Sequence, residues 1–244
     1  MANVALTGTA GYAQAGSPGV FADQIGWISY DLPDGQNFEF YPGTIYNVTN
    51  TLSRPGNYTI KFNLQIQNGG GNLIPLAPYE TPIYDIASFG ITTYLGIPGK
   101  IAIYMTENAS TLTATFITMT NITITDEFGI PVTNYDIIVS DAETTNSYEF
   151  WSAFTNGTPW SILQIVPPID PNNPQVSIAG IGTDTITYSG YNYNTAPSIT
   201  LSSKSPRTIA SSLNTYSGKQ GVIFGVMIPS TTYNDEYGGI SDCC

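Results

Sequence analysis

The chain has 244 residues, 18 of them acidic and 6 basic, for a net charge of −12. Six cations scattered from Arg54 to Lys219 cannot form the clustered basic patch that phosphate contacts need, which excludes nucleic-acid binding and disfavours an anionic membrane surface. The absence of histidine excludes Ser-His-Asp and Cys-His catalysis and His-ligated zinc.

In chain order, the opening "MANVALTGTAGYAQAG" lacks a basic start and an apolar core, so it does not read as a signal peptide. Either a leader was removed or the protein reaches its destination without one. Residues 1–20 predict an extended segment that forms an edge strand of this domain, the alternative being donation to a neighbouring subunit's sheet. Asp31 and Asp34 flank Pro33 in a turn signature. In Tyr58–Ile66, "YTIKFNLQI", apolar and polar residues alternate at period two, which predicts a strand with one buried face, opened by the turn "RPGN".

Further strands are predicted at Lys100–Thr106, Thr111–Thr118, Asn121–Thr125, Asp136–Ser140, Thr183–Tyr188 and Ser198–Ser202. Gln220–Ile228, "QGVIFGVMI", is apolar on both faces apart from its glycines and reads as a central strand. No window carries a helical period with caps; a short helical turn near Ile83–Phe89 is the most that is expected. The proline-rich Val166–Gln175 reads as a long surface loop inside one sandwich, the alternative being a linker between two domains. Short strands between regularly spaced turn signals predict an all-β fold, a single large β-sandwich or jelly roll. It is expected over 21–229, with a flexible tail at 230–244.

Charged residues make up only 10% of the chain, against about 25% in ordinary soluble domains. Solubility therefore rests on Thr, Ser, Asn, Gln and Tyr, a surface common on secreted, cell-surface and capsid-like β proteins. No apolar run reaches the roughly 18–20 residues of a spanning helix, so membrane insertion is not expected.

Four stretches in order carry a family resemblance: "FADQIGWISYDL" (Phe21–Leu32), "TMTNITITDEFGIPVTNYDIIVSDAETTNSYEFW" (Thr118–Trp151), "TNGTPWSIL" (Thr155–Leu163) and "GKQGVIFGVMIP" (Gly218–Pro229). Together they resemble the lectin-like non-repetitive domain of CshA-type bacterial surface adhesins. The "VSDAETTN" block and the "QGVIFGV" strand are the most specific parts. The resemblance implies a lectin-like β-sandwich displayed at a cell surface and used for adhesion, with a host matrix protein or glycan as partner.

Candidate site residues fall into three groups. Asp141 and Glu143, with Glu149 nearby, lie in "SDAETTNSYEFW", where carboxylates at a strand end could coordinate Ca²⁺ or accept sugar hydroxyls. The alternative is a network that bonds backbone N–H groups of a bent loop; beyond this possible Ca²⁺ no cofactor is expected. Trp160 follows Pro159 in a loop-like stretch and is the best of the three tryptophans as an exposed stacking residue, although tryptophans are more often core. Tyr188, Tyr191 and Tyr193 in "YSGYNYN" have the composition of an adaptable recognition loop, the alternative being a polar strand and turn on an exposed face. Asp126 and Glu127 read as turn chemistry.

Cys243 and Cys244 are the only cysteines and end the chain. Adjacent cysteines close a strained ring with each other, so a pair on a flexible tether is better placed to bond another chain. The expected function is a non-enzymatic adhesive domain of a bacterial cell-surface, spore-surface or appendage protein. The alternative is a self-assembling subunit of a fibre or coat layer cross-linked through the tail, and the weakest option is a carboxylate glycosidase.

Overall fold

The computed structural model describes residues 3–30, 38–71, 73–81, 89–143, 145, 149–166, 176–190 and 198–229. These form fifteen strands. The first seven are β1 (Asn3–Thr9), β2 (Gly26–Trp27), β3 (Ile45–Leu52), β4 (Tyr58–Gly71), β5 (Leu76–Tyr79), β6 (Ala102–Met105) and β7 (Thr113–Asp126). They are followed by β8 (Asp136–Asp141), β9 (Glu149–Thr155), β10 (Trp160–Val166), β11 (Val176–Ala179) and β12 (Thr185–Gly190). β13 (Ser198–Lys204), β14 (Ile209–Thr215) and β15 (Gly221–Met227) complete the fold. A short π-helical turn, Phe89–Thr93, precedes β6. The rest of the expected Ile83–Phe89 turn lies outside the described residues, as does nearly all of Val166–Gln175. Among the described residues no helix is long and apolar enough to cross a membrane.

Two sheets make a β-sandwich. One runs β1-β3-β4-β7-β14-β9-β12-β11; the other runs β10-β13-β8-β15-β6-β5, with β2 added to β15. β1 pairs in parallel with β3, from Asn3↔Ile45 to Thr9↔Thr51. The chain's first strand therefore closes the edge of its own sheet.

The alternation of side chains explains why Gln220–Ile228 reads as apolar on both faces. Val222, Phe224 and Val226 enter the main core between the sheets, while Ile223 enters a second cluster on the outer face. β8 and β6 divide in the same way: Ile137, Val139 and Ile103 point inward, Ile138 and Tyr104 outward. Trp27 anchors the second cluster, edge-on to Phe89 and Tyr94 with ring centroids 4.9 Å away in each case. Segments before β2 and around Phe89–Ile101 thus cover the second sheet, and a sheet buried on both faces loses its polar alternation.

The structure also revises the strand list. Thr111–Thr118 and Asn121–Thr125, expected as two strands, fall on one continuous strand, β7, which starts at Thr113. Asn121 and Ile122 together oppose the single residue Phe62, because Lys61 pairs with Thr123 and Asn63 with Thr120. Asn121 absorbs the extra residue by taking φ 55°, a left-handed conformation that asparagine tolerates better than most residues. A bulge of this kind bends a strand without ending it.

Candidate functional site

The acidic block caps one end of the sandwich. Asp141 closes β8, Glu149 opens β9 and Ser198 opens β13. Asp141 and Glu143 are 2% and 4% exposed, so both carboxylates face inward, as does that of Glu149. Asp141 Oδ1 accepts the Glu143 N–H at 3.2 Å, and Oδ2 accepts the Thr145 hydroxyl at 2.7 Å. Glu143 Oε2 accepts the Tyr104 hydroxyl at 3.0 Å, and the Glu143 carbonyl accepts the Ser198 hydroxyl. The carboxylates therefore tie Asp141 to Glu143 and Thr145 and tie Glu143 to β6, while the Glu143 backbone carbonyl makes the link to β13. Burial pushes the Asp141 carboxyl up to about 6, against the pull of its Thr145 and Glu143 donors. Among the described residues no group of three or more His, Cys, Asp or Glu side chains gathers where it could hold a metal ion.

The exposure expected of Trp160 is corrected. Trp160 opens β10 opposite Ser203, and its side chain is fully buried in the main core. Its backbone N–H donates to Thr183 O at 2.8 Å, which pins the residue at the start of a strand. Tyr188 also points inward, opposite Trp151 on β9, and is fully buried. Burial pushes its phenol well above the usual tyrosine range, and the Asp141 charge adds to the shift. Tyr191, Tyr193, Cys243 and Cys244 lie outside the described residues.

The opposite end carries a feature that has no counterpart in the sequence expectations. Beyond the bulge at Asn121, β14 stops pairing with β7: the last partners are Ile209 and Met119, and the Ile122 N–H instead reaches Arg207 O at 3.2 Å. β14 is paired along its whole length but begins at Ile209, so β7 runs on past it, and a notch of about 440 Å³ opens between the end of β7, the connection to β8 and the β13–β14 turn. Ile122, Ile124, Val132 and Tyr135 give it apolar walls, while Asn121, Thr123, Thr133, Thr208 and Arg207 supply polar groups.

Its walls are tied together. Ser205 takes φ 47° at the β13–β14 turn. The Ser205 N–H donates to Tyr135 O at 2.8 Å, its hydroxyl donates to Thr133 O at 2.6 Å, and the Tyr135 hydroxyl donates to Pro206 O at 2.9 Å. Burial pushes the Tyr135 phenol up, and the neighbouring Arg207 charge pulls it partly back. Arg207 itself is exposed. Beside the notch, Asp126 Oδ1 accepts the N–H groups of Phe128 and Ile130 at 2.9 and 2.8 Å, which holds a turn whose Phe128 is 79% exposed.

Two sequence signals marked this end: a lone Asn121 inside a Thr/Ile alternation, and Arg207 just after Ser205–Pro206. Neither shows by itself that β7 runs on past β14 there.

A model of the family described as surface adhesin CshA non-repetitive domain 2 matches residues 23–227. The match takes in both the acidic end and the notch. No curated protein and no solved structure matches the chain.

Proposed function

The chain belongs to the family of surface adhesin CshA non-repetitive domain 2, and from that premise we propose that it is a non-enzymatic binding domain attaching a bacterial surface to host matrix protein or glycan. The family match across nearly the whole sandwich carries this reading. We take residues 21–229 as the binding unit. The sandwich supports the role in a physical sense: a sheet buried on both faces and a turn stapled by inward carboxylates make a rigid body, and rigid walls lower the entropic cost of binding. The inward orientation of Asp141 and Glu143 also favours a binding domain over carboxylate hydrolysis, whose two carboxyls must flank a substrate bond.

Display of the full chain on a non-adherent bacterial strain tests this. Adhesion to surfaces coated with host matrix glycoproteins should rise above that of the same strain displaying an unrelated β-sandwich. Equal attachment of the two strains over a panel of such coatings would contradict it.

A further inference from the structure

The geometry points to the notch at the bulged end of β7 as a binding site for a carboxylate-bearing sugar, with Arg207 as the carboxylate's partner. This deepens the adhesive reading and rests on it.

Three observations carry the inference. The first is charge. In a chain of net charge −12 with six cations, Arg207 is exposed at the notch and takes part in no ion pair among the described residues. A guanidinium presents a planar set of donors that matches a carboxylate in two parallel hydrogen bonds.

The second is the supply of neutral polar groups. The side chains of Asn121, Thr123, Thr133 and Thr208 border the notch and make no hydrogen bond among the described residues. Hydroxyl and amide groups that both donate and accept suit sugar hydroxyls, and the partly exposed Val132 offers an apolar contact for the C–H face of a sugar ring. The volume of about 440 Å³ falls within the roughly 300–1,000 Å³ of small-ligand sites.

The third is what the notch lacks. An extended peptide gains affinity by adding to a free strand edge. Here the edge is closed, because Ile122 N, Ile124 O and Asp126 N are bonded to Arg207 O, Val132 N and Ile130 O. Side-chain recognition remains, which favours a compact hydroxylated ligand over a peptide. The Ser205 and Tyr135 bonds hold the walls in place before any ligand arrives.

Titration of the full chain with methyl β-glucuronide, methyl α-sialoside and the neutral methyl β-glucoside, followed by saturation-transfer NMR and protein chemical shifts, tests the site. At least one acidic sugar should bind and the neutral glucoside should bind far more weakly, with shifts centred on Thr123, Thr133 and Thr208. Arg207→Ala should weaken acid-sugar binding by about tenfold or more, Arg207→Lys should restore only part of it, and the thermal midpoint should stay unchanged. Asn121→Gly, which keeps the left-handed backbone but removes the amide, should also weaken binding without unfolding the protein.

Equal affinity for glucuronide and glucoside, acid-sugar binding that survives Arg207→Ala, or preferential binding of an acetylated acidic peptide would each overturn the proposal. Absence of acid-sugar binding while displayed protein still promotes adhesion would overturn this inference alone. Loss of both would overturn the adhesive reading with it.

Discussion

Asn50 pairs with the backbone of Ser29 as a strand neighbour would. Its Oδ1 accepts the Ser29 N–H and its Nδ2 donates to the Ser29 carbonyl, each at 3.0 Å, with both residues fully buried. Ser29 follows β2 on the second sheet and Asn50 belongs to β3 of the first, so one amide bonds across the two layers. Gly8 of β1 leaves room for this contact, since a Cβ there would lie 2.4 Å from Ser29 O and 3.2 Å from Asn50 Oδ1.

Replacing Asn50 with Ala leaves a buried N–H and a buried C=O without partners. Each such group costs about 1–3 kcal/mol, so Asn50→Ala should destabilise the fold by about 2–6 kcal/mol, measured as a lower urea midpoint at unchanged slope. Asn50→Asp can still accept the Ser29 N–H but cannot donate to the carbonyl, and should also be destabilised. A midpoint for Asn50→Ala equal to that of the unmodified chain would show that the pairing contributes nothing.

Asp141 predicts a pH dependence with a definite sign. Its carboxyl is pushed up to about 6 by burial, whereas an unfolded aspartate titrates near 3.9. The folded chain therefore holds this proton more tightly. The associated stability is fully present below about pH 4 and is lost as pH rises through about 6, with a cost on the order of 3 kcal/mol above that. The groups bonded to or acting on it are Glu143, Thr145 and Tyr188. Thermal midpoints measured from pH 4 to pH 8 should fall more steeply for the unmodified chain than for Asp141→Asn, which has no charge to bury. Parallel profiles would contradict the assignment.

Trp160 is predicted to act through packing. Its indole N–H makes no hydrogen bond among the described residues, so removing that group should matter little while removing the ring should matter greatly. Trp160→Ala should cost about 3–5 kcal/mol and Trp160→Phe less than about 2 kcal/mol. Denaturant unfolding of the two variants checks this, and equal losses would show that the N–H has a partner.

Gly225 marks where the second cluster presses on its sheet. A Cβ there would meet Ile25 Cγ2 and Trp27 Cε3 at 2.9 Å each. Gly225→Ala should therefore destabilise by about 1–3 kcal/mol through overpacking, with a change in Trp27 fluorescence. A neutral result would mean that the covering segment yields freely.

The sandwich itself was legible because period-two alternation survives wherever one face meets the core, as in Tyr58–Ile66, now within β4. Legibility failed where that condition lapsed. β14, "IASSLNT", carries small polar residues that are buried all the same, so its apolar signal is confined to Ile209 and Leu213. β9 and β10 were hidden because Glu149 and Trp160 look like loop residues until their neighbours are known. Trp160, the best of the three tryptophans as an exposed candidate, and Tyr188, read as part of a recognition loop or an exposed polar strand, are both buried, because burial is decided by which sheet face a residue joins. The acidic block was visible as a cluster, but the inward Glu143 carboxylate meets Tyr104, which is distant in sequence. The notch was invisible for a related reason: it lies where β7 outruns β14, between the β7–β8 connection and the β13–β14 turn, segments that are distant in sequence.

The most direct test of the adhesive account is biolayer interferometry of the purified full chain against immobilised host matrix glycoproteins and glycans. The account predicts saturable binding by the folded protein to at least one of them, abolished when the sandwich is unfolded. Folded protein that shows no saturable binding to any of these surfaces would contradict it.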